Sequence, residues 1–161
     1  MQLTILFTMQ QELDSFIQNN RQQQTDVFQE KGLALLVELA ELANETRCFK
    51  FWSAKGPSED TIILEEYVDS IHFLLSLGIE KDLHTLTTWP VGEVEGNLTQ
   101  LFLATNGVIH RFLEELTMES YEQVWVYYGA IANKLGFTNE DIIQAYIAKN
   151  EENYNRQKTG Y

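Results

Sequence analysis

The sequence predicts an all-α protein, a bundle of about six helices packed on one another. Three observations predict it. Only two prolines, Pro57 and Pro90, interrupt 161 residues. Apolar residues recur at helical spacing over long stretches. Helix start signals and glycine stops punctuate the chain.

The elements follow in order. The opening MQLTILFTMQ is apolar, lacks a basic leader and runs straight into QQELDSF. It therefore reads as the approach to a first helix over 8–19 rather than as a signal peptide. The polar stretch 19–25, NNRQQQT, is a loop or an exposed helical end. A second helix is expected over 26–49. KGPSED at 55–60 is a turn, with Ser58 or Asp60 as the cap of a third helix ending near Gly78. The pattern dissolves over 79–97, around Trp89, Pro90, Gly92 and Gly96. That connection is either mobile or laid over something. A fourth helix fits 98–116, with Leu101, Phe102, Thr105, Val108, Ile109, Phe112 and Leu116 at helical spacing. Ser120 with Gln123 reads as the capping box of a fifth helix that stops at Gly136, and Thr138 with Asp141 repeats that signature for a sixth.

Composition narrows the function. Hydrophobic types are 44% of the chain and charged types 22%, enough to bury one sizeable core, and 1–161 reads as one domain. Eleven basic against 24 acidic residues leave a net charge of −13. Such a surface repels nucleic acid polymers and anionic membranes. It still accepts a small anion if metal ions stand between anion and acids. The single cysteine, Cys48, excludes an internal disulfide framework and a multi-cysteine zinc site. No apolar run reaches membrane-spanning length, so a cytoplasmic protein is expected.

The second helix holds the strongest signal, L33-A-L-L-V-E38-L-A-E41-L-A-N-E45. With Glu38 at zero, Glu41 falls at about 300° and Glu45 at about 340°. Three carboxylates share one narrow face, and apolar residues cover the arc from about 60° to about 260°. The helix is expected to be buried on most sides, its acids turned inward. In the third helix Glu66 and Asp69 are i and i+3 on one face, among Ile63, Leu64, Tyr67, Val68, Ile71, Leu74 and Leu75. Four carboxylates brought together repel one another and resist desolvation, so a cation must join them. All-oxygen ligands select Mg²⁺, with Mn²⁺ as substitute, over zinc or copper. A di-iron site wants Glu-x-x-His on two helices, and only Asp69-x-x-His72 comes near. No glycine-rich phosphate loop is present, so phosphate binding falls to metal and side chains.

Glu38-x-x-Glu41, then 24 intervening residues, then Glu66-x-x-Asp69 resembles the signature of the MazG-like all-α NTP pyrophosphohydrolases. The finer resemblance is to the dimeric dUTPases. It rests on ELAELANETRCFKFWS (38–53), EEYVDSIHFLLSLGI (65–79) and AYIAKNEENYNRQKTGY (145–161), and it covers essentially the whole chain. The resemblance implies a homodimeric dUTP diphosphatase that cleaves dUTP, and dUDP, at the α-phosphorus to give dUMP. It also implies a four-helix core that carries the acidic metal site, with Mg²⁺ held by Glu38, Glu41, Glu66 and Asp69 and with Glu38 or Glu41 as the general base. Glu45 would hold an outer position or a further ion. It places Lys149 and Arg156 near phosphate oxygens, and Asn150 or Asn153 near the base or sugar. Tyr161 belongs to the closing tail. M9-Q-Q-E-L-D14 is the counterpart of the family's base-recognition run, which makes Gln11, or Gln10, the residue for uracil. Asp14 stands where asparagine is commoner. Trp52, or Phe51, is the candidate for packing on the nucleotide; either equally suits a core. Two other functions fit the acids: a sibling pyrophosphohydrolase acting on dCTP or a modified nucleotide, and a non-enzymatic helical assembly protein that binds ions structurally. In the latter, Lys149 and Arg156 need not converge on the acids.

Overall fold

A computed structural model describes residues 1–21 and 25–160. The described residues form six helices: α1 (Thr4–Asn20), α2 (Phe28–Thr46), α3 (Asp60–Glu80), α4 (Leu98–Glu115), α5 (Met118–Leu135) and α6 (Asn139–Thr159). Among the described residues the only β-type pairing is an isolated bridge between Gln2 and Thr88. Among the described residues no helix is long and apolar enough to cross a membrane.

α3 is the axis of the bundle because apolar residues go nearly all the way round it. Ile63, Tyr67, Val68, Ile71, Leu74, Leu75 and Leu77 are buried. α2, α6 and α1 pack directly on it. α4 and α5 form an antiparallel pair beside α2 and α3. Long tyrosines join α5 to α3: the Tyr67 hydroxyl donates to the Tyr128 carbonyl and the Tyr121 hydroxyl to the Leu74 carbonyl, each at 2.8 Å. Buried hydroxyls need such partners, since an unpaired one costs on the order of 1–3 kcal/mol. Tyr121 reaches Leu74 over Gly78, where any Cβ would run into the tyrosine.

Several boundaries differ from the sequence expectation, each for a local reason. α1 begins at Thr4, four residues early, because Leu6 and Phe7 are already core residues. α2 starts at Phe28, where Asp26 accepts from the Phe28 N–H at 2.9 Å, and ends as Arg47 turns left-handed (φ 56°). Glu59, not Ser58 or Asp60, precedes α3, because the Ser58 hydroxyl is spent on the Glu45 carboxylate. α5 starts three residues before the expected box: Thr117 and Ser120 cap each other, and Ser120 is buried inside the first turn. The Thr138–Asp141 box of α6 forms as expected, and Asn97 with Gln100 makes a third at α4.

The 79–97 connection is anchored. Trp89 buries its ring against Trp125 and donates from Nε1 to the Trp125 carbonyl at 2.8 Å. Its N–H bonds the Met1 carbonyl, and Leu3 N–H bonds the Thr87 carbonyl. The expectation that α2 is buried on most sides fails. Leu33 is 63% exposed and Val37 46%, because among the described residues the main cover of this helix comes from α3 and α4. Residues 22–24, within the expected polar loop, and Tyr161 lie outside the described residues.

Candidate metal centre and adjoining cavity

The acidic faces of α2 and α3 meet because the two helices are adjacent in space and joined by 47–59. Glu38, Glu66 and Asp69 each bring a carboxylate oxygen within 4.8 Å of the other two. All three are half-buried. Crowding and burial together disfavour their ionised forms. Burial first, then Asp69, Glu41 and Glu66, push Glu38 up to about 7. Glu66 is raised by burial and then by Asp69. Asp69 is raised by burial, against the pull of Lys149. Three hard oxygen donors at this spacing can hold a divalent cation, which would relieve the repulsion.

Glu41 lies one turn further along α2, exposed and outside this trio, yet close enough to raise both Glu38 and Glu66. Glu45 is turned aside: it accepts from the Ser58 hydroxyl, and its carbonyl accepts from the Ser58 N–H at 3.0 Å.

α6 supplies the opposing charge. Lys149 is only 7% exposed, and its Nζ lies 2.8 Å from Glu65 and 2.9 Å from Asp69. Burial works against its ammonium, but Glu65 and Asp69 hold it above the ordinary lysine range. Arg156, two turns on, pairs with Glu152.

A cavity of about 820 Å³ opens beside the acids, walled by α1, α2, α3 and α6. Glu38, Asp69, Lys149, Asn153 and Arg156 line it at one side; Gln11, Asp14 and Arg21 line it from α1. Its wall holds a hydrogen-bonded chain. Ser76 Oγ donates to Asp14 at 2.6 Å, Gln10 Nε2 donates to the other Asp14 oxygen at 2.8 Å, and Gln10 Oε1 meets Tyr146 OH at 2.8 Å and His72 Nδ1 at 2.7 Å. The His72 ring stacks on Tyr146, and burial followed by Lys149 pushes it down to about 3, so the imidazole is neutral.

Of the residues singled out in the sequence, Glu38, Glu66, Asp69, Lys149, Asn153, Arg156, Gln11 and Asp14 converge on the acids or the cavity. Gln11 is exposed at the rim, whereas Gln10 is buried with both amide ends engaged. Asn150 is buried beneath the wall, where the Tyr146 hydroxyl feels its side chain. Trp52 (66% exposed) and Phe51 (94% exposed) stand on the 47–59 connection and do not line this cavity. His72, Phe73, Ser76 and Lys31 line it although the sequence did not single them out for it. The α3 members continue up the helix from Asp69 at i+3, i+4 and i+7, which is the signal that finds them.

A family model described as dUTPase matches residues 2–161. No curated protein matches the chain. The match spans nearly the whole length, and the trio of acids beside a cavity of nucleotide size supplies the chemistry that such a match requires. With sequence, fold and acidic centre in agreement, the chain belongs to the dUTPase family and is an enzyme that hydrolyses dUTP.

Proposed function

We propose that the enzyme is a Mg²⁺-dependent dUTP diphosphatase, with Mn²⁺ as a substitute ion, acting at the α-phosphorus of dUTP and dUDP. The convergence of Glu38, Glu66 and Asp69 within 4.8 Å carries the proposal, since three hard oxygen donors at that spacing match what a divalent cation takes as ligands. Those three would hold the ion, with Glu41 beside them on the exposed side. When bound, it supplies neutralisation of polyphosphate charge and a lowered pKa for an attacking water.

The chain's own residues do the rest. Glu41 is outside the crowded trio and faces solvent, so its carboxylate is placed to take the water's proton while Glu38 serves as ligand. Lys149 and Arg156 offer ammonium and guanidinium to phosphate oxygens along the same wall. Glu45, bonded to Ser58, steadies the end of α2. The base and sugar occupy the α1–α3 side, where Gln11, Asp14, Asn153 and the neutral His72 present donors and acceptors, and Asn150 supports Tyr146 behind them. Attack at the α-phosphorus releases pyrophosphate from dUTP and phosphate from dUDP, leaving dUMP from both. We place this activity in a single domain, 1–161, of a homodimer with no affinity for nucleic acid polymers.

Product analysis tests the proposal. Pyrophosphate and phosphate release are followed for dUTP, dUDP, dCTP, dTTP, dATP and UTP, with Mg²⁺ or with chelator. Expected is Mg²⁺-dependent turnover of dUTP and dUDP, lost in Glu38→Gln and Glu66→Gln. Preferred turnover of dCTP, or turnover that survives chelator, would overturn it.

A further inference from the structure

Among the described residues, five buried side chains carry a polar atom with no hydrogen-bond partner. His72 lines the cavity, Asn150 lies beneath its wall, and the Trp125 indole packs against Tyr121. The remaining two are hydroxyls, Ser70 Oγ on α3 and Tyr128 OH on α5, and both residues are fully buried. Burial raises the Tyr128 pKa most, Ser70 lowers it as a polar neighbour, and the charge of Glu38 raises it. The two hydroxyls therefore stand side by side without bonding, within electrostatic reach of an acid of the trio.

Two buried hydroxyls carry two protons, and both protons need an acceptor. A helical hydroxyl ordinarily bonds back to the carbonyl four residues earlier, as Thr105 does to Leu101 at 2.7 Å. Ser70 does not. One hydroxyl can accept from the other, which leaves one proton to place. Glu38 is the acceptor whose charge reaches the pair. An ionised carboxylate has sites for several donors, so Glu38 can face an ion with one oxygen and a hydroxyl with the other.

The fold holds the pair where this bond would act. Ser70 follows Asp69 in the chain and lies one turn from Glu66, about 40° round α3, on the flank of the acidic face. Tyr128 is fixed in place. Its carbonyl accepts from the Tyr67 hydroxyl at 2.8 Å, and the two rings meet edge to face with centroids 5.8 Å apart. Glu66 and Asp69 share one helix, which sets their spacing, and Lys149 lies 2.9 Å from Asp69. Glu38 reaches in from α2, so its direction must be set separately.

We propose that Tyr128 is a positioning residue for the metal centre: paired with Ser70, its hydroxyl donates to Glu38 and aims that carboxylate at the ion. The proposal rests on the reading of the acidic trio as a Mg²⁺ site. It gives α5 a part in the site, although no described α5 residue lines the nucleotide cavity. A partner of this kind orients the ligand it bonds, and its loss weakens metal binding by about 10–100-fold.

Thermal melts over a Mg²⁺ titration, without nucleotide, test it on wild type, Tyr128→Phe, Ser70→Ala and Tyr67→Phe. In Tyr128→Phe the melt in chelator should stay near wild type, because the lost hydroxyl has no partner there. The Mg²⁺ concentration that gives half the stabilisation should rise about tenfold or more, and dUTP turnover should recover as Mg²⁺ is raised. Ser70→Ala should move this midpoint the same way, and it stands in should Tyr128→Phe fold poorly. Tyr67→Phe removes a hydroxyl bonded to a backbone carbonyl, so it should lower the melt in chelator and leave the midpoint at the wild-type value. An unchanged midpoint in Tyr128→Phe, or in Ser70→Ala where it stands in, would overturn the proposal. So would an equal rise in Tyr67→Phe, which would assign the effect to packing between α3 and α5. A wild type whose melt ignores Mg²⁺ is a different result, and it removes the metal reading itself.

Discussion

Lys149 Nζ lies 2.9 Å from Asp69, so a cation from α6 already faces the acidic centre before any substrate or metal arrives. Asp69 is at once a member of the trio and the partner of the most buried charged side chain of the site. This couples metal, phosphate and fold. Replacing Lys149 by Met strips one buried charge of an ion-pair cluster and leaves Glu65 and Asp69 facing each other. The expected loss is about 3 kcal/mol of stability in chelator, the lower end for a broken buried pair because Glu65 is half in solvent. Mg²⁺ should restore part of it, since it supplies the missing charge, but dUTP turnover should not return. Thermal melts with chelator and with Mg²⁺ measure both effects.

Glu38 makes the metal-free protein sensitive to pH. Its carboxyl is pushed from 4.5 up to about 7 in the folded chain, so between these values the folded state holds a proton that the unfolded chain has released. Stability in chelator is therefore expected to fall as pH rises from about 4.5 to about 7 and to level off above. Glu66 and Asp69, also raised, add to the same slope. Metal binding runs the other way, because ligation must expel that proton. The melting temperature gained on adding Mg²⁺ should thus be small at pH 5 and largest above pH 7. A gain independent of pH would remove Glu38 from the ligand set.

Gly78 reports on the packing that holds α3 in place. A Cβ there would overlap the ring of Tyr121, which is fully buried and tied to the Leu74 carbonyl. The ring has nowhere to go. Gly78→Ala should cost on the order of 2 kcal/mol through overpacking, despite alanine's better helix propensity. Melting should drop by roughly 6 °C for a chain of this size. In Tyr121→Phe the hydroxyl is gone, and the alanine should be better tolerated; a double-mutant cycle reads that coupling.

Much of this was legible before the structure, and the exceptions have physical causes. The acidic faces of α2 and α3 are legible because Glu38, Glu41 and Glu45, and Glu66 with Asp69, each share one side of a mostly apolar helix, but which of the α2 acids joins the trio depends on how the two helices pack. His72 is not legible in this way. Its spacing to Asp69 is plain, but measured from Glu66 it lies at about 240°, off the acidic face, and only the packing of α1 and α6 on α3 makes that side of the helix a cavity wall. Gln10 and Gln11 are adjacent in a polar run, and only the docking of α1 decides which is buried. Ser120 precedes Gln123 at capping-box distance, yet the cap is Thr117 three residues earlier, whose box uses the Ser120 hydroxyl where the usual signature has Glu or Gln. The exposure of Leu33 and Val37 is illegible in the pattern, because an apolar position on a helix reads as core whether or not a neighbouring helix covers it.

Asp14 offers the sharpest test of base recognition. Its two oxygens accept from Gln10 Nε2 at 2.8 Å and from Ser76 Oγ at 2.6 Å, an arrangement suited to an ionised carboxylate even though burial raises its pKa. In that form the side chain only accepts hydrogen bonds. Uracil presents two carbonyls that need donors and one N–H that needs an acceptor. Asparagine at this position keeps an oxygen for Gln10 and turns an amide N–H₂ toward Ser76 and the cavity, so the wall should survive the change. It adds a donor where the carboxylate has none. Asp14→Asn is therefore expected to lower KM for dUTP by about tenfold, the worth of one hydrogen bond of about 1.4 kcal/mol, with kcat little changed. Selectivity over dCTP should rise in step, because cytosine replaces one carbonyl by a donor that the carboxylate accepted. An unchanged KM and an unchanged dUTP to dCTP ratio would mean that Asp14 only braces Gln10 and never meets the base.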